Sequence, residues 1–434
     1  MNTVKVELEP GKPLQVYGEA DVHVLHGEIC IFGKLFGRDS RIRVPAFRGY
    51  PVEALCKSII EVEYHGKKPE FIEGIGTSIW KDKAQDFIVN PSDVIVIGGV
   101  DSGKTGLTKY LTNISVYNGR AVGVIDLDPG QGDIGIPGFI GGGVANKPLI
   151  NLEDIDSQVY RFVGTITPMG DEDKIERNLL VIKKLIPKSD YTILNLHGWI
   201  VGFRAIRHIY NIIKSSGVSN IIYLSDRRTD PYVKYLFDYL KLSGLNVKTY
   251  VFKKARATPR TRQQRKQIRE IKYLNYIKGT DFVKKSISID YLIGEDRRLL
   301  LSNAIEPELL KKLISIYNLE KFPDAIVLKD MVVKLIYQSD NINKPLLWLH
   351  KSRFNLPVYI SMFPTDGYAI LSALSIKDIH VPVFVTGLDF SKYMAYTLIP
   401  TSYAQRSYDK LMLGRIIVDV NEGKEIGVLK LDLL

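Results

Sequence analysis

The sequence predicts an α/β protein: a central P-loop domain with a mostly parallel sheet, flanked by a smaller N-terminal β domain and a C-terminal β-rich domain. Three observations predict this. Between about residues 86 and 285, short β-branched apolar runs alternate with amphipathic helical stretches, the pattern of βαβ units. One run, Val94–Ile97, leads straight into Gly98-Gly99-Val100-Asp101-Ser102-Gly103-Lys104-Thr105, which fits G-x-x-x-x-G-K-[ST] in the strand-then-helix setting that motif requires. On either side the chain returns to short alternating runs broken by glycine, as antiparallel β domains do. A length of 434 residues suits two to four domains, and 45% hydrophobic with 25% charged residues is ordinary globular usage, so wholesale disorder is excluded. No internal repeat is visible, which excludes solenoids.

The elements follow in order. In the first segment, residues 1–85, Asp21–Leu25 and Ile29–Leu35 read as strands, with Gly27, Gly33, Gly37 and Gly49 as punctuation. In the second, residues 86–285, strands are expected at Val94–Ile97, Ala121–Asp126, Thr192–Leu196, Asn220–Leu224 and Val247–Phe252. Helices are expected at about 103–115, 172–186, 203–215 and 231–242. The third, residues 286–434, has strand-like runs at Val332–Tyr337, Val381–Val385 and Arg415–Val420 and a helical pattern at 306–317. The longest apolar runs fall well short of the ~18 residues that span a bilayer, and MNTVKVELEPGK lacks the apolar stretch of a secretory signal. The expectation is a cytoplasmic protein with no membrane association. Cys30 and Cys56 are too few for a disulfide framework or a Cys-rich metal site and are expected as buried thiols.

The P-loop carries the strongest chemical signal. Gly98 and Gly103 permit a backbone whose N–H groups point into one concavity, and the helix opening near Gly103 turns its positive end toward phosphate. Residues Gly98, Gly99, Val100, Asp101, Ser102, Gly103, Lys104, Thr105 and Gly106 therefore form the expected nucleotide cradle. Lys104 would reach the β and γ phosphates, and Thr105 would supply a hydroxyl ligand for Mg2+. The next expected strand ends in Asp126-Leu127-Asp128-Pro129-Gly130-Gln131-Gly132, so carboxylates begin where apolar residues stop. Asp126 and Asp128 share one side of a strand end. One can hold magnesium while the other accepts a proton from an attacking hydroxyl. Asp-Pro-Gly is also turn chemistry in its own right.

The formal charge of +11 raises the local concentration of polyanions. Between Lys253 and Lys272 there are nine Lys or Arg residues against the single acid Glu270. Two readings fit this run: a solvated basic helix, or a set of cations that meets phosphate. Trp199, one of three tryptophans, likewise fits a core position or a stacking platform. Thr165 and Thr167 fit phosphate contacts or local turn capping.

Taken together, these motifs resemble the polynucleotide 5′-hydroxyl kinases of the RNA-processing type, which include archaeal RNA kinases and a eukaryotic pre-mRNA cleavage-factor subunit. The resemblance rests on GGVDSGKT with DLDPGQG, and on Phe162–Pro168, Asn195-Leu196-His197-Gly198-Trp199, Arg260-Thr261-Arg262-Gln263-Gln264-Arg265, Gly27–Gly33 and Gly423–Gly427. It implies transfer of the γ-phosphate of ATP to the 5′-OH end of RNA, with single-stranded DNA or duplex DNA ends as alternate substrates. It implies Lys104, Asp128, Arg260 and Arg265 as catalytic residues, the two arginines forming a lid. Thr105 and Asp126 are then the metal ligands, and Gln131, Thr167 and Trp199 meet RNA. His197 is read as a structural residue because Asp128 fills the role of base. Arg256, Arg262, Lys266 and Arg269 are candidates for the RNA backbone. A catalytically silent ATP-binding scaffold of an RNA-processing complex is the alternative. A metallochaperone-type ATPase would carry a cysteine pair, and the chain has no C-x-x-C.

Overall fold

The computed structural model describes residues 1–156, 158–226, 230–255, 259–288, 298–301, 325–329, 332–338, 348–349, 358–363, 367–389, 392 and 394–428. The predicted helix at 306–317 and Arg256 lie outside the described residues. The chain divides into two compact units. The first comprises Met1–Gly135, Ile140–Val159 and Asp171–Ile268, and the second Ile136–Phe139, Tyr160–Gly170 and Arg269–Leu434.

The first unit opens with nine strands: β1 (Asn2–Leu8), β2 (Leu14–Tyr17), β3 (Ala20–His26), β4 (Ile29–Ile31), β5 (Lys34–Phe36), β6 (Arg41–Val44), β7 (Gly49–Ala54), β8 (Ser58–Tyr64) and β9 (Glu70–Phe71). They form antiparallel sheets of order β1-β8-β3-β6 and β5-β4-β7-β2-β9 around a core that includes Leu14, Val22, Ile31 and Ile60. The strand expected at Ile29–Leu35 is in fact a hairpin. Phe32 (φ 50°) and Gly33 (φ 81°) form a two-residue turn between β4 and β5, as the twist of a tight hairpin demands. Apolar Phe32 hides that turn in the sequence. Cys30 is buried as expected, whereas Cys56 is exposed because it lies in the connection between β7 and β8.

Next come α1 (Lys81–Val89), β10 (Val94–Ile97), α2 (Lys104–Tyr117), β11 (Val122–Asp126), β12 (Phe139–Ala145), β13 (Val159–Phe162), α3 (Glu172–Leu185), β14 (Tyr191–Asn195), α4 (Phe203–Ser216), β15 (Asn220–Ser225), α5 (Pro231–Leu242), β16 (Lys248–Lys253) and α6 (Arg262–Lys278). Neighbouring strands run β12-β11-β14-β10-β15-β16, and all pairs are parallel except β11 with β12. Every residue of β10, β11, β14 and β15 is buried, which is why these strands read as near-continuous apolar runs. Strand β12, FIGGGVA, escapes sequence reading because a glycine triplet is depleted in strands. The order also has a consequence for chemistry. The strand following the P-loop helix is not the P-loop strand's neighbour in space, because β14 lies between β11 and β10.

In the second unit, β17 (Phe282–Ser288) precedes a five-stranded sheet of β18 (Arg298–Leu301), β19 (Ala325–Lys329), β20 (Val332–Gln338), β21 (Trp348–Leu349) and β22 (Val358–Phe363). Strands β23 (Tyr368–Ile376), β24 (Ile379–Asp389), β25 (Met394–Pro400), β26 (Lys410–Asp419) and β27 (Glu425–Val428) join β17 in an antiparallel sheet of order β17-β25-β24-β23-β26-β27. Phe139, Phe162, Tyr273, Phe384 and Ile416 share its core. No helix among the described residues is long and apolar enough to cross a membrane.

Candidate active site

The site is assembled at the carboxyl ends of β10, β11 and β14, where open α/β sheets bind ligands. Between β10 and α2, Asp101 (φ 54°) and Gly103 (φ 94°) adopt left-handed backbone, a geometry that gathers successive N–H groups into an anion-binding concavity. Lys104 Nζ donates to the carbonyl oxygens of Gly98 and Gly99, each at 2.8 Å. Burial pushes its pKa down to about 8, and Asp128, Asp101 and Asp126, in that order, pull the other way. Asp128 is thus the carboxylate that acts most strongly on the loop lysine.

Strand register brings the metal-ligand candidates together. Asn195, the last residue of β14, is level with Val96 on one side and Asp126 on the other. Its Nδ2 donates to Thr105 Oγ1 at 3.4 Å and to Asp126 Oδ1 at 3.3 Å. Asp126 also accepts from the backbone N–H groups of Asp133 (2.7 Å) and Asp128 (3.3 Å). Burial, with the Asp133 carboxylate next, raises its pKa to about 7. Asn195 carries no charge and no motif signature of its own, and sequence reading assigned it no role.

Asp128 heads a turn in which its Oδ1 accepts from Gly130 N and Gln131 N, both at 2.9 Å. Oδ2 makes no hydrogen bond among the described residues. The turn and the catalytic reading of Asp128 are therefore compatible: one oxygen fixes the loop and the other is left for chemistry.

The two predicted lid arginines meet the loop at a residue that sequence reading treated only as part of the cradle. Asp101 Oδ1 accepts from Arg260 Nε (3.3 Å) and Nη2 (3.2 Å). Its Oδ2 accepts from Arg260 N (3.0 Å) and Arg265 Nη2 (2.7 Å). Burial opposes the charge on Asp101, but the Arg260 N–H and both guanidinium groups outweigh it and hold the carboxyl below its ordinary value. The reach of both arginines follows from a helix cap. Thr261 Oγ1 accepts from Gln264 N (3.1 Å) and Gln264 Oε1 accepts from Thr261 N (2.8 Å), a reciprocal capping box that starts α6. Arg260 precedes the cap and Arg265 lies one turn in. Gln131 ties this lid to the Asp128 turn, with Nε2 donating to Arg265 O at 3.3 Å and a buried Oε1 that has no hydrogen-bond partner among the described residues.

Breaking the latch should free the lid. For Asp101→Asn we expect amide hydrogen exchange across residues 260–266 to speed by roughly 10- to 100-fold, since charged hydrogen bonds contribute about 1.5–3 kcal/mol each. Unchanged exchange would show that Asp101 does not hold the lid.

Trp199 is half-buried, with its ring centroid 6.2 Å from His197 and 6.3 Å from His208. A Cβ on Gly198 would lie 3.0 Å from Val100 N and 2.7 Å from Val100 Cγ2, so only glycine lets this segment press against the P-loop. His197 is buried and neutral, its pKa held far below 6.5 by burial, then by His208 and Lys104. That agrees with a structural reading, although its Nε2 has no hydrogen-bond partner among the described residues. Thr167 lies in the second unit and makes a local turn, its Oγ1 accepting from Met169 N at 3.3 Å. Arg269 corrects an expectation. It is paired in bidentate fashion with Glu425 (2.6 and 2.8 Å) inside the second unit and is not a free cation for RNA.

Strand order, loop and lid define a P-loop nucleotide-binding domain. Residues 98–279 match the family described as mRNA cleavage and polyadenylation factor CLP1 P-loop. It is 26% identical over 261 residues to a protein CLP1 homolog of Culex quinquefasciatus, covering 56% of this chain and 60% of that protein. It is 36% identical over 113 residues to a polyribonucleotide 5′-hydroxyl-kinase of Pyrococcus horikoshii, covering 26% of this chain and 31% of that protein. A polyribonucleotide 5′-hydroxyl-kinase of Methanocaldococcus jannaschii is 27% identical over 353 residues, which is 79% of this chain and 91% of that protein. The solved Clp1p in a complex of wild-type Clp1p with Pcf11p (454–563) shares the fold at a TM-score of 0.64 and 12% identity, covering 95% of this chain and 97% of that one.

Proposed function

We propose that this protein is an ATP-dependent polyribonucleotide 5′-hydroxyl kinase with three parts, the catalytic one spanning about residues 86–285. One observation carries the reading: two arginines flanking the capped start of α6 close onto the P-loop at Asp101, the place from which they can fork onto a triphosphate. The kinase names of the archaeal relatives support RNA as the acceptor.

In this mechanism Lys104 exchanges its carbonyl partners for phosphate oxygens. Asp128, with Oδ2 uncommitted, orients the 5′-hydroxyl and takes its proton. Arg260 and Arg265 leave Asp101 to neutralise charge on the transferred group. Trp199 stacks on the first base, and Gln131 adds a polar contact to RNA. Thr105 and Asp126, joined through Asn195, are hard oxygen donors that fit Mg2+, which when bound supplies charge neutralisation on the phosphates. Cytoplasmic residence belongs to the same reading, in keeping with two unpaired cysteines.

The test is direct. Incubation with γ-labelled ATP and matched 5′-OH RNA and DNA oligonucleotides should label RNA, and label on neither polymer would overturn the proposal.

A further inference from the structure

The outer face of α4 and α5 carries exposed aromatic rings that the active site does not use. On α4, Phe203, Arg207, Tyr210 and Lys214 fall at i, i+4, i+7 and i+11, one stripe in which ring and cation alternate turn by turn. Ile206, Ile209, Ile212 and Ile213 bury the opposite side. On α5, Tyr232, Tyr235 and Tyr239 form the facing stripe at i, i+3 and i+7. The rings connect across the helices: Phe203 is 5.6 Å from Tyr232 and 5.5 Å from Tyr235, Tyr235 stacks on Tyr239 at 6.2 Å, and Tyr239 meets Tyr210 at 4.8 Å. Phe203 is 68% exposed, Tyr235 49% and Tyr239 42%. Single exposed rings are ordinary, but a contiguous exposed patch of them marks an interaction surface.

The charge around the ladder selects the occupant. Arg207, Lys214, Lys234 and Lys241 are exposed, and among the described residues none of them makes an ion pair; Asp238 is the acid on the same stretch of α5. A protein-docking patch is depleted in lysine, whereas a single-stranded nucleic acid needs this combination of stacking faces with cations between them. Topology gives the direction. Helix α4 leaves the carboxyl end of β14 directly after Trp199, so the ladder starts at the active-site edge and runs about 10 Å from Phe203 to Tyr210.

We propose that this ladder is a track for the single-stranded RNA that follows the 5′ end, with bases stacked on Phe203, Tyr235 and Tyr239 and phosphates on Arg207 and Lys214. The inference rests on the reading of the site as an RNA 5′-kinase. It predicts that a 5′-OH 12-mer binds the full-length protein at least about tenfold more tightly than a 3-mer. Phe203→Ala with Tyr239→Ala should remove most of that advantage, since each base–ring stack accounts for roughly 5- to 150-fold in affinity. Tyr239→Phe should preserve it. Arg207→Gln and Lys214→Gln should each lower the slope of log affinity against log salt by about 0.7. Binding and phosphorylation of the 3-mer should stay unchanged in every variant. Equal binding of both lengths by the wild type, or an intact 12-mer advantage in the double ring variant, overturns the proposal. So does a change in sedimentation of the ring variants without a change in length preference, which would assign the face to protein contact. A wild type that binds by length but labels no oligonucleotide would sink the kinase reading alone.

Discussion

Asp128→Asn is expected to lower phosphoryl transfer by about 10²–10⁴-fold, the usual worth of a positioned general base, with ATP affinity at pH 7 within about twofold of wild type. The substitution is informative because of what it keeps. Asparagine retains an Oδ1 that can accept from Gly130 N and Gln131 N, so the turn survives, and only the uncommitted oxygen becomes an amide unable to take a proton. It also removes the carboxylate that most supports the charge on Lys104, whose pKa already stands at about 8. The sign is unambiguous: losing Asp128 moves Lys104 lower still, so the phosphate-free variant loses its loop charge at a lower pH than wild type. ATP affinity in Asp128→Asn should therefore fall off earlier as pH rises above 7, which binding titrations from pH 7 to 9 can measure. Transfer within tenfold of wild type at pH 7 would remove Asp128 as the base.

The parts of this protein that sequence reading captures are those written in contiguous residues. Strands β10, β11, β14 and β15 are buried on both faces and announce themselves as apolar runs. The P-loop and the Asp126–Asp128 pair follow from motif and strand end. What it misses is created by proximity across the chain. Asn195 matters because β14 inserts between β11 and β10, a pairing that no local signal reports. Arg269 looks like one more cation of a basic run, yet its partner Glu425 lies 156 residues away. Asp101 occupies a variable position of the P-loop pattern, and its role appears only when Arg260 and Arg265 arrive from the start of α6. One signal was present and unused: Thr261-Arg262-Gln263-Gln264 is a capping box, which fixes the helix start and with it the reach of both arginines.

Arg260→Ala with Arg265→Ala is expected to cost about 10³–10⁵ in kcat, the range found for arginines at phosphoryl-transfer sites, with a smaller change in KM for ATP. Lysine should restore little at either position, because the planar fork that spans two oxygens is lost. The single variants should not add, since both side chains share Asp101 and would share the triphosphate. Stability complicates a plain reading of such a loss. Removing both guanidinium groups leaves the Asp101 carboxylate, whose side chain is only 8% exposed, with the residue-260 backbone N–H but no cation, and a buried charge without a counter-charge destabilises the fold. Adding Asp101→Asn separates the two effects. The triple variant should recover the melting temperature lost by the double variant, because the stranded charge is gone, but it should recover no activity. If activity returned along with stability, the arginines would be structural ties between lid and loop, and charge neutralisation in the transition state would have to come from elsewhere.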